Sequence, residues 1–302
     1  MPGFDVHQHV WGTEFVAALR ARDTPPYLTD WTLHVAGEPP YELSPADHDA
    51  ERRGALARAD GLDRVLVSLS SPLGVEGLPP AQARPLLDAY HADALALPEP
   101  FGAWASSCLS EIDAARTARD LDAGFAGLQL PATALADASG FERCAPLLAL
   151  LEDRDLPLFV HPGGSRVAGD TEPGWWPAMV PYVQQMHAVW YAFRAFGRPR
   201  HPRLRVCFAL LAGLGPLHGE RYAARAGGPA EVDPGAFVET SSYGPRAVRA
   251  VIEALGGDMV VLGSDRPYAA PYDGPPEPAG RHALRVTNPR RLLSGTSAVR
   301  EE

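Results

Sequence analysis

Short apolar runs recur along the chain and are separated by longer amphipathic or Ala-rich stretches. Runs at residues 4–10, 64–69, 102–107, 127–130, 158–161, 205–210, 237–240 and 260–263 are too short for helices and rich in β-branched residues, which predicts strands. Helical spacing is predicted between them at residues 82–94, 111–123, 144–154, 181–196 and 245–255. Eight strands alternating with helices in 302 residues favour one α/β domain, residues 1–302, built as a closed parallel barrel rather than an open sheet.

Two irregular regions interrupt this alternation. Residues 24–49 carry Pro25-Pro26 and Pro39-Pro40 around Trp31-Thr32-Leu33-His34-Val35, which predicts a small hairpin inserted after the first strand. Residues 163–177 are rich in Gly and Pro and contain Trp175-Trp176. Both follow strands, so both are expected at the strands' C-terminal ends, where barrel active sites are built.

Composition narrows the partners. A formal charge of −10 argues against a nucleic-acid backbone or an anionic membrane as the main partner, and favours a small-molecule substrate. The chain shows no run of 18 or more apolar residues and no basic-then-apolar leader, so a cytoplasmic protein is expected. Cys108, Cys144 and Cys207 are widely spaced in apolar settings and read as reduced, buried thiols. All 27 basic residues are arginine. With no lysine, Schiff-base chemistry, a lysine general base and a phosphate-loop lysine are all excluded.

The chemistry concentrates at strand tips. Asp5, His7 and His9 share one parity in Phe4-Asp5-Val6-His7-Gln8-His9-Val10, and residues two apart on a strand face one way. Asp5 is read as a buried hydrogen-bonding residue and not as a ligand. A second apolar run ends in His161-Pro162-Gly163-Gly164, and a third in Leu262-Gly263-Ser264-Asp265. In a barrel these tips converge, so His7, His9, His161 and Asp265 can meet around one divalent cation. Three imidazole nitrogens and one carboxylate suit zinc, with iron, manganese or cobalt as alternatives. An open coordination position would hold water and lower its pKa.

The motifs Asp5-Val6-His7-Gln8-His9, Gly127-Leu128-Gln129-Leu130-Pro131, Phe159-Val160-His161-Pro162-Gly163 and Leu262-Gly263-Ser264-Asp265-Arg266-Pro267 resemble the amidohydrolase-related family. This is the branch of the amidohydrolase superfamily that contains aminocarboxymuconate semialdehyde decarboxylase-like enzymes. The resemblance runs over nearly the whole chain. It implies a distorted (β/α)8 TIM barrel with one metal, usually zinc, on His7, His9, His161 and Asp265. Gln129 stands where dinuclear relatives carry a lysine, which agrees with one metal.

The chain departs from the family in one place. The stretch after the sixth strand usually carries a catalytic histidine before a Gly-Gly turn; here Leu210 takes its place, followed by Leu211-Ala212-Gly213. Leucine transfers no proton.

The expected activity is therefore metal-dependent hydrolysis or non-oxidative decarboxylation of a small organic acid, lactone or amide. Metal-activated water would attack, with Asp265 as ligand and proton acceptor. The alternative is a degenerate metal-binding barrel without turnover that binds a small ligand. Trp176 and Arg266 are candidate substrate contacts, weighed against loop anchoring and a surface salt bridge respectively. Residues 182–196 have helical spacing and read as core or a homodimer contact. His34 and Tyr41, in the insertion, are candidates to reach the pocket, which the sequence alone does not decide.

Overall fold

All eight apolar runs form strands in the computed structural model, which describes residues 3–165, 172–226, 228 and 231–294. The first half comprises β1 (Gly3–Gln8), α1 (Thr13–Arg20), β2 (Tyr27–Thr29), β3 (Thr32–His34), β4 (Tyr41–Glu42), α2 (Ala50–Ala59), β5 (Leu62–Val67), α3 (Pro80–Ala96), β6 (Phe101–Ala103) and α4 (Ala114–Asp122). Next come β7 (Leu128–Pro131), α5 (Ala138–Asp153), β8 (Leu158–His161), α6 (Trp176–Met179), α7 (Pro181–Ala192), β9 (Val206–Phe208) and α8 (Gly219–Ala226). The chain continues through β10 (Ala236–Glu239), α9 (Pro245–Leu255), β11 (Val260–Val261), α10 (Pro278–His282) and α11 (Asn288–Ser294).

β1, β5 and β6 pair in parallel, as do β7 to β11 in sequence. Two seams join the arcs. Ala105 N donates to Gly127 O (2.9 Å) and Gln129 N to Ala105 O (2.8 Å) at one; Val6 N donates to Leu262 O (2.9 Å) and His9 N to Arg266 O (2.7 Å) at the other. The strands thus form a distorted (β/α)8 barrel, with each parallel crossover made by a helix or helical segment.

The barrel interior is apolar below the strand tips. Trp104 is fully buried, stacks on Phe159 at 5.2 Å and donates its indole N–H to Val6 O (2.8 Å). Phe159 in turn meets the His7 ring edge at 5.0 Å. Burying such a ring stabilises the fold by roughly 1.5–3 kcal/mol.

The insertion differs from the expected hairpin. It follows α1 rather than β1, and it has three antiparallel strands, because the chain beyond Pro39-Pro40 turns back to pair Tyr41 with Leu33. Leu28, Leu33 and Leu43 are buried beneath it. Its end is fastened by Arg53 on α2, only 2% exposed. The Arg53 guanidinium donates to His9 O (2.8 Å), Asp47 O (2.7 Å), Gln8 Oε1 (2.5 Å) and Arg266 O (3.1 Å). One buried cation thereby ties together β1, the insertion and the loop after β11.

A buried polar brace links β7 to the loop after β5. Gln129 Nε2 donates to Leu69 O and Ser71 Oγ, both at 2.7 Å, and Ser71 Oγ donates to Glu76 Oε1. Among the described residues Glu76 Oε2, Gln129 Oε1 and Ser106 Oγ have no hydrogen-bond partner. Burial pushes the Glu76 carboxyl up to about 7, so below that pH it holds a proton that it can donate to such neighbours.

The segment after β9 is the most unusual backbone. Leu210, Leu211, Ala212, Gly213 and Leu214 all have left-handed φ, between 47° and 61°. Each non-glycine residue there costs roughly 1–2 kcal/mol. The turn is pinned on one side by Leu210 N donating to Glu239 Oε1 (2.9 Å), and on the other by α7. A Cβ on Gly213 would lie 2.3 Å from Val183 O.

Two stability measurements follow from these features. Gly213→Ala is expected to lower the unfolding free energy in urea by about 2–4 kcal/mol, from left-handed strain plus overpacking against α7; a loss below about 1 kcal/mol would mean α7 moves aside freely. For Glu76 the folded pKa lies above the unfolded one, so native protein holds a proton the unfolded chain releases, and stability falls as pH rises through 4.5 toward 7. Glu76→Gln should therefore gain stability relative to wild type by roughly 2–3 kcal/mol between pH 5 and pH 8. A pH-independent difference in denaturant titrations would show that Glu76 is ionised when folded.

Candidate metal centre

β1 delivers two imidazoles to one point. His7 and His9 are each 1% exposed, and their Nε2 atoms lie 3.1 Å apart. β8 ends in His161, whose ring centroid is 4.9 Å from that of His7 and 5.3 Å from that of His9. The three ring planes are nearly perpendicular to one another, at 83°, 89° and 87°. Asp265 enters from beyond β11, with Oδ1 at 3.1 Å from His9 Nε2 and 3.5 Å from His7 Nε2. Its backbone is left-handed (φ 60°), a conformation aspartate tolerates better than most residues. Asp265 N and Ser264 N both donate to His7 O, at 2.9 and 3.2 Å, so the carboxylate and the histidine share one backbone anchor.

The other ring nitrogens are all engaged. His9 Nδ1 lies 2.8 Å from Ser68 O, and His161 Nδ1 lies 2.8 Å from Pro162 O. A carbonyl oxygen only accepts, so each Nδ1 carries the proton and each Nε2 presents a lone pair. His7 Nδ1 faces Glu239 Oε1 at 3.2 Å. Burial opposes charging His7, but the Glu239 hydrogen bond and the nearby Asp265 carboxylate outweigh it and raise its pKa. Burial lowers the pKa of His9 and sends that of His161 well down, with the neighbouring imidazoles adding to both effects.

One ligand atom from each of His7, His9, His161 and Asp265 lies within 4.8 Å of all the others. Atoms bound at about 2.1 Å to one tetrahedral cation stand roughly 3.4 Å apart, and the separations of 3.1, 3.1 and 3.5 Å match this. Lone pairs and a carboxylate oxygen converging in a buried space repel one another unless a cation sits among them. The donor set therefore fits a single divalent metal.

Glu239, at the tip of β10, is the residue that sequence reading missed. It is fully buried, and its carboxylate accepts from Leu210 N (2.9 Å), Ser241 N (2.5 Å), Ser241 Oγ (2.6 Å) and His7 Nδ1 (3.2 Å). A Cβ on Gly263 would meet Glu239 Oε2 at 2.3 Å, so glycine there makes room for the carboxylate. The available signal was a glutamate within the apolar run Ala236-Phe237-Val238-Glu239.

A cavity of about 330 Å³ opens above the cluster. Leu33, Val35, Pro39, Tyr41, Leu73, Met179, Tyr182, Leu210 and Tyr268 supply much of its wall. The insertion thus covers the strand tips, although it follows α1 and not the first strand. Leu210 faces the cavity and offers no proton-transfer group.

Several expectations resolve differently. Trp176 is 37% exposed and does not line the cavity; α6 turns Ala178 and Met179 toward it instead. Arg266 is drawn away by Asp60, with Nη1 to Oδ2 at 2.6 Å, and is no part of the wall. Tyr41 lines the cavity, whereas His34 stacks on Tyr27 at 4.3 Å. Asp5 is buried and accepts from His7 N, Ser264 N and Gln8 Nε2, outside the cluster. Gln129 braces the scaffold and does not reach the cluster. Residues 166–171 of the Gly- and Pro-rich loop lie outside the described residues. The three cysteines are free and buried, and no helix among the described residues is long and apolar enough to cross a membrane.

Comparison with known proteins places this geometry in context. The family model described as Amidohydrolase matches residues 4–295. No curated protein matches the chain. Among solved structures, the chain is similar to the IDCase of Metarhizium anisopliae in apo form (15% identity, 97% of each chain, TM-score 0.73). It is also similar to the 5-carboxyvanillate decarboxylase LigW2 of Novosphingobium aromaticivorans, which holds manganese and 3-methoxy-4-hydroxy-5-nitrobenzoic acid (16% identity, 97% of each chain, TM-score 0.73). A third is 2,6-dihydroxybenzoate decarboxylase from Rhizobium (18% identity, 97% of this chain and 98% of that one, TM-score 0.66).

Proposed function

The chain belongs to the amidohydrolase family, and from that premise we propose that His7, His9, His161 and Asp265 hold one divalent metal in the active site of an enzyme acting on a small organic acid. The reaction favoured is non-oxidative decarboxylation; hydrolysis of a lactone or amide is the alternative for the same centre. The observation that carries the reading is the convergence of three Nε2 lone pairs and one carboxylate oxygen at the floor of an apolar cavity. The decarboxylases named among the structural relatives support the choice of reaction. The three-nitrogen, one-oxygen set suits zinc, and manganese is the other candidate given the Novosphingobium structure. Bound there, the cation would act as a Lewis acid toward a carboxylate or carbonyl oxygen.

The chain's own residues do the rest. Glu239 orients His7, while Ser68 O and Pro162 O hold His9 and His161 in the tautomers that leave Nε2 unprotonated. Asp265, whose side chain is 18% exposed, is the member of the cluster most open to the cavity and manages the proton. In decarboxylation the bond to the carboxyl carbon breaks, carbon dioxide leaves, and the electron pair stays on the substrate carbon. That carbon takes up one proton, which the Asp265 carboxylate first accepts from the substrate acid or from solvent and then delivers, so the residue ends as it began. In hydrolysis Asp265 instead accepts a proton from the attacking water. The apolar wall keeps bulk water away from either step. A metal-binding barrel without turnover is the second reading, and Leu210 favours it because it contributes only its backbone N–H, to Glu239.

Elemental analysis of untagged protein should find about one equivalent of divalent metal per chain, and His161→Ala should remove most of it. Glu239→Gln should weaken metal affinity about 10–100-fold, the usual effect of losing a group that orients a ligand. Less than about a tenth of an equivalent in wild type after incubation with zinc, iron or manganese would end the metal reading. Separately, Leu210→His should raise decarboxylase turnover on a panel of aromatic and unsaturated acids by roughly 10²-fold, the lower range for a positioned acid–base group. Unchanged turnover would favour hydrolysis or the non-catalytic reading.

A further inference from the structure

Among the described residues, the wall of the cavity carries one charged group outside the cluster. Glu38 projects from the turn after β3, within the insertion, and among the described residues no arginine lines the space. Its Oε1 accepts from Tyr182 Oη on α7 (2.9 Å) and from Ser165 Oγ after β8 (2.8 Å). Two hydroxyls from separate elements therefore fix the carboxylate in place. Burial, with Glu38 alongside, pushes the Tyr182 phenol well above its usual range, so it remains a donor. An ionised carboxylate offers about four lone-pair sites, and two donors leave acceptor capacity on it. Among the described residues no cation pairs with Glu38, and it makes no hydrogen bond to the four-residue cluster. The surrounding wall, from Leu33, Val35, Pro39 and Tyr41, is otherwise apolar.

We propose that Glu38 determines specificity by accepting a hydrogen bond from a donor group, hydroxyl or ammonium, on an otherwise apolar substrate, and by repelling a second carboxylate. The proposal rests on the reading of this cavity as the active site. A half-buried carboxylate beside apolar side chains gains a charge-assisted hydrogen bond from such a donor and opposes an anion placed beside it. Substrates with one carboxylate and a distal donor fit the cavity, and dicarboxylates do not.

The test is titration calorimetry on the full-length protein as purified, with probes that share one ring. Wild type should bind p-cresol or 4-methylbenzylamine at least about ten-fold more tightly than 4-methylanisole, the scale of one charge-assisted hydrogen bond. The tighter of the first two identifies the donor as hydroxyl or ammonium. Wild type should also bind terephthalate at least about ten-fold more weakly than 4-methylbenzoate. Glu38→Gln should bring both ratios within about three-fold while leaving 4-methylanisole affinity unchanged. Glu38→Ala provides the same comparison should the glutamine variant fold poorly. A wild type without donor preference, or variants that keep it, would overturn the proposal. So would an equal loss for every probe with a lowered Tm, which would make Glu38 a latch between the insertion and α7. Metal analysis of the same samples separates this result from the metal reading: the neutral probes need no metal, and replacing Glu38 should leave metal content unchanged.

Discussion

Everything in this structure is arranged around an unfavourable convergence. The Nε2 atoms of His7 and His9 and an Asp265 carboxylate oxygen face one another at 3.1–3.5 Å, with a His161 ligand atom within 4.8 Å of all three, in a space almost closed to water. Left to themselves, such groups would turn apart or protonate. They are held because every outward-facing ring nitrogen has a partner: Glu239 for His7, Ser68 O for His9 and Pro162 O for His161. Those partners fix the rings' orientation and, for His9 and His161, place the proton on Nδ1, so the cluster presents a donor set that fits a divalent cation.

The scaffold supplies the stiffness this requires. The histidines rest on Phe159 and Trp104, while Asp265 hangs from the same backbone carbonyl that belongs to His7. Glu239 links the cluster to the left-handed turn at Leu210, so backbone strain after β9 and orientation of a ligand on β1 are coupled through one carboxylate. Arg53 plays a comparable part on the outer side. With burial lowering its pKa to about 10, it remains charged at neutral pH and spans four acceptors on three segments.

Leu210, standing where the family resemblance implies a histidine, is easier to interpret in this setting. Leu210 keeps the backbone N–H that Glu239 uses and gives up only the side chain that would face the cavity. Orientation of the cluster is retained while proton-transfer chemistry at that position is removed. Under the proposed function the acid–base work then falls on Asp265. The added apolar surface joins a wall in which, among the described residues, Glu38 is the one carboxylate outside the cluster.

Alternating strands and helices, the parity of His7 and His9, and the strand-tip positions of His161 and Asp265 were all legible in the chain, because periodicity and turn residues are local properties. Helix α2 was not, since its sequence has almost no apolar face, and its capping Asp49 accepts from Arg52 N without a flanking apolar repeat. Trp176 and Arg266 were misplaced for a related reason: sequence proximity to a site does not set side-chain direction, and Asp60 captured Arg266. Glu239 and Glu38 owe their roles to partners on distant segments, at Leu210 and His7 in one case and at Ser165 and Tyr182 in the other. By itself, then, the sequence determined the barrel and its four candidate ligands. Only the tertiary structure decided which carboxylates orient, which one lines the cavity, and which arginine serves as a clamp, because each of those roles depends on distances between residues far apart in the chain.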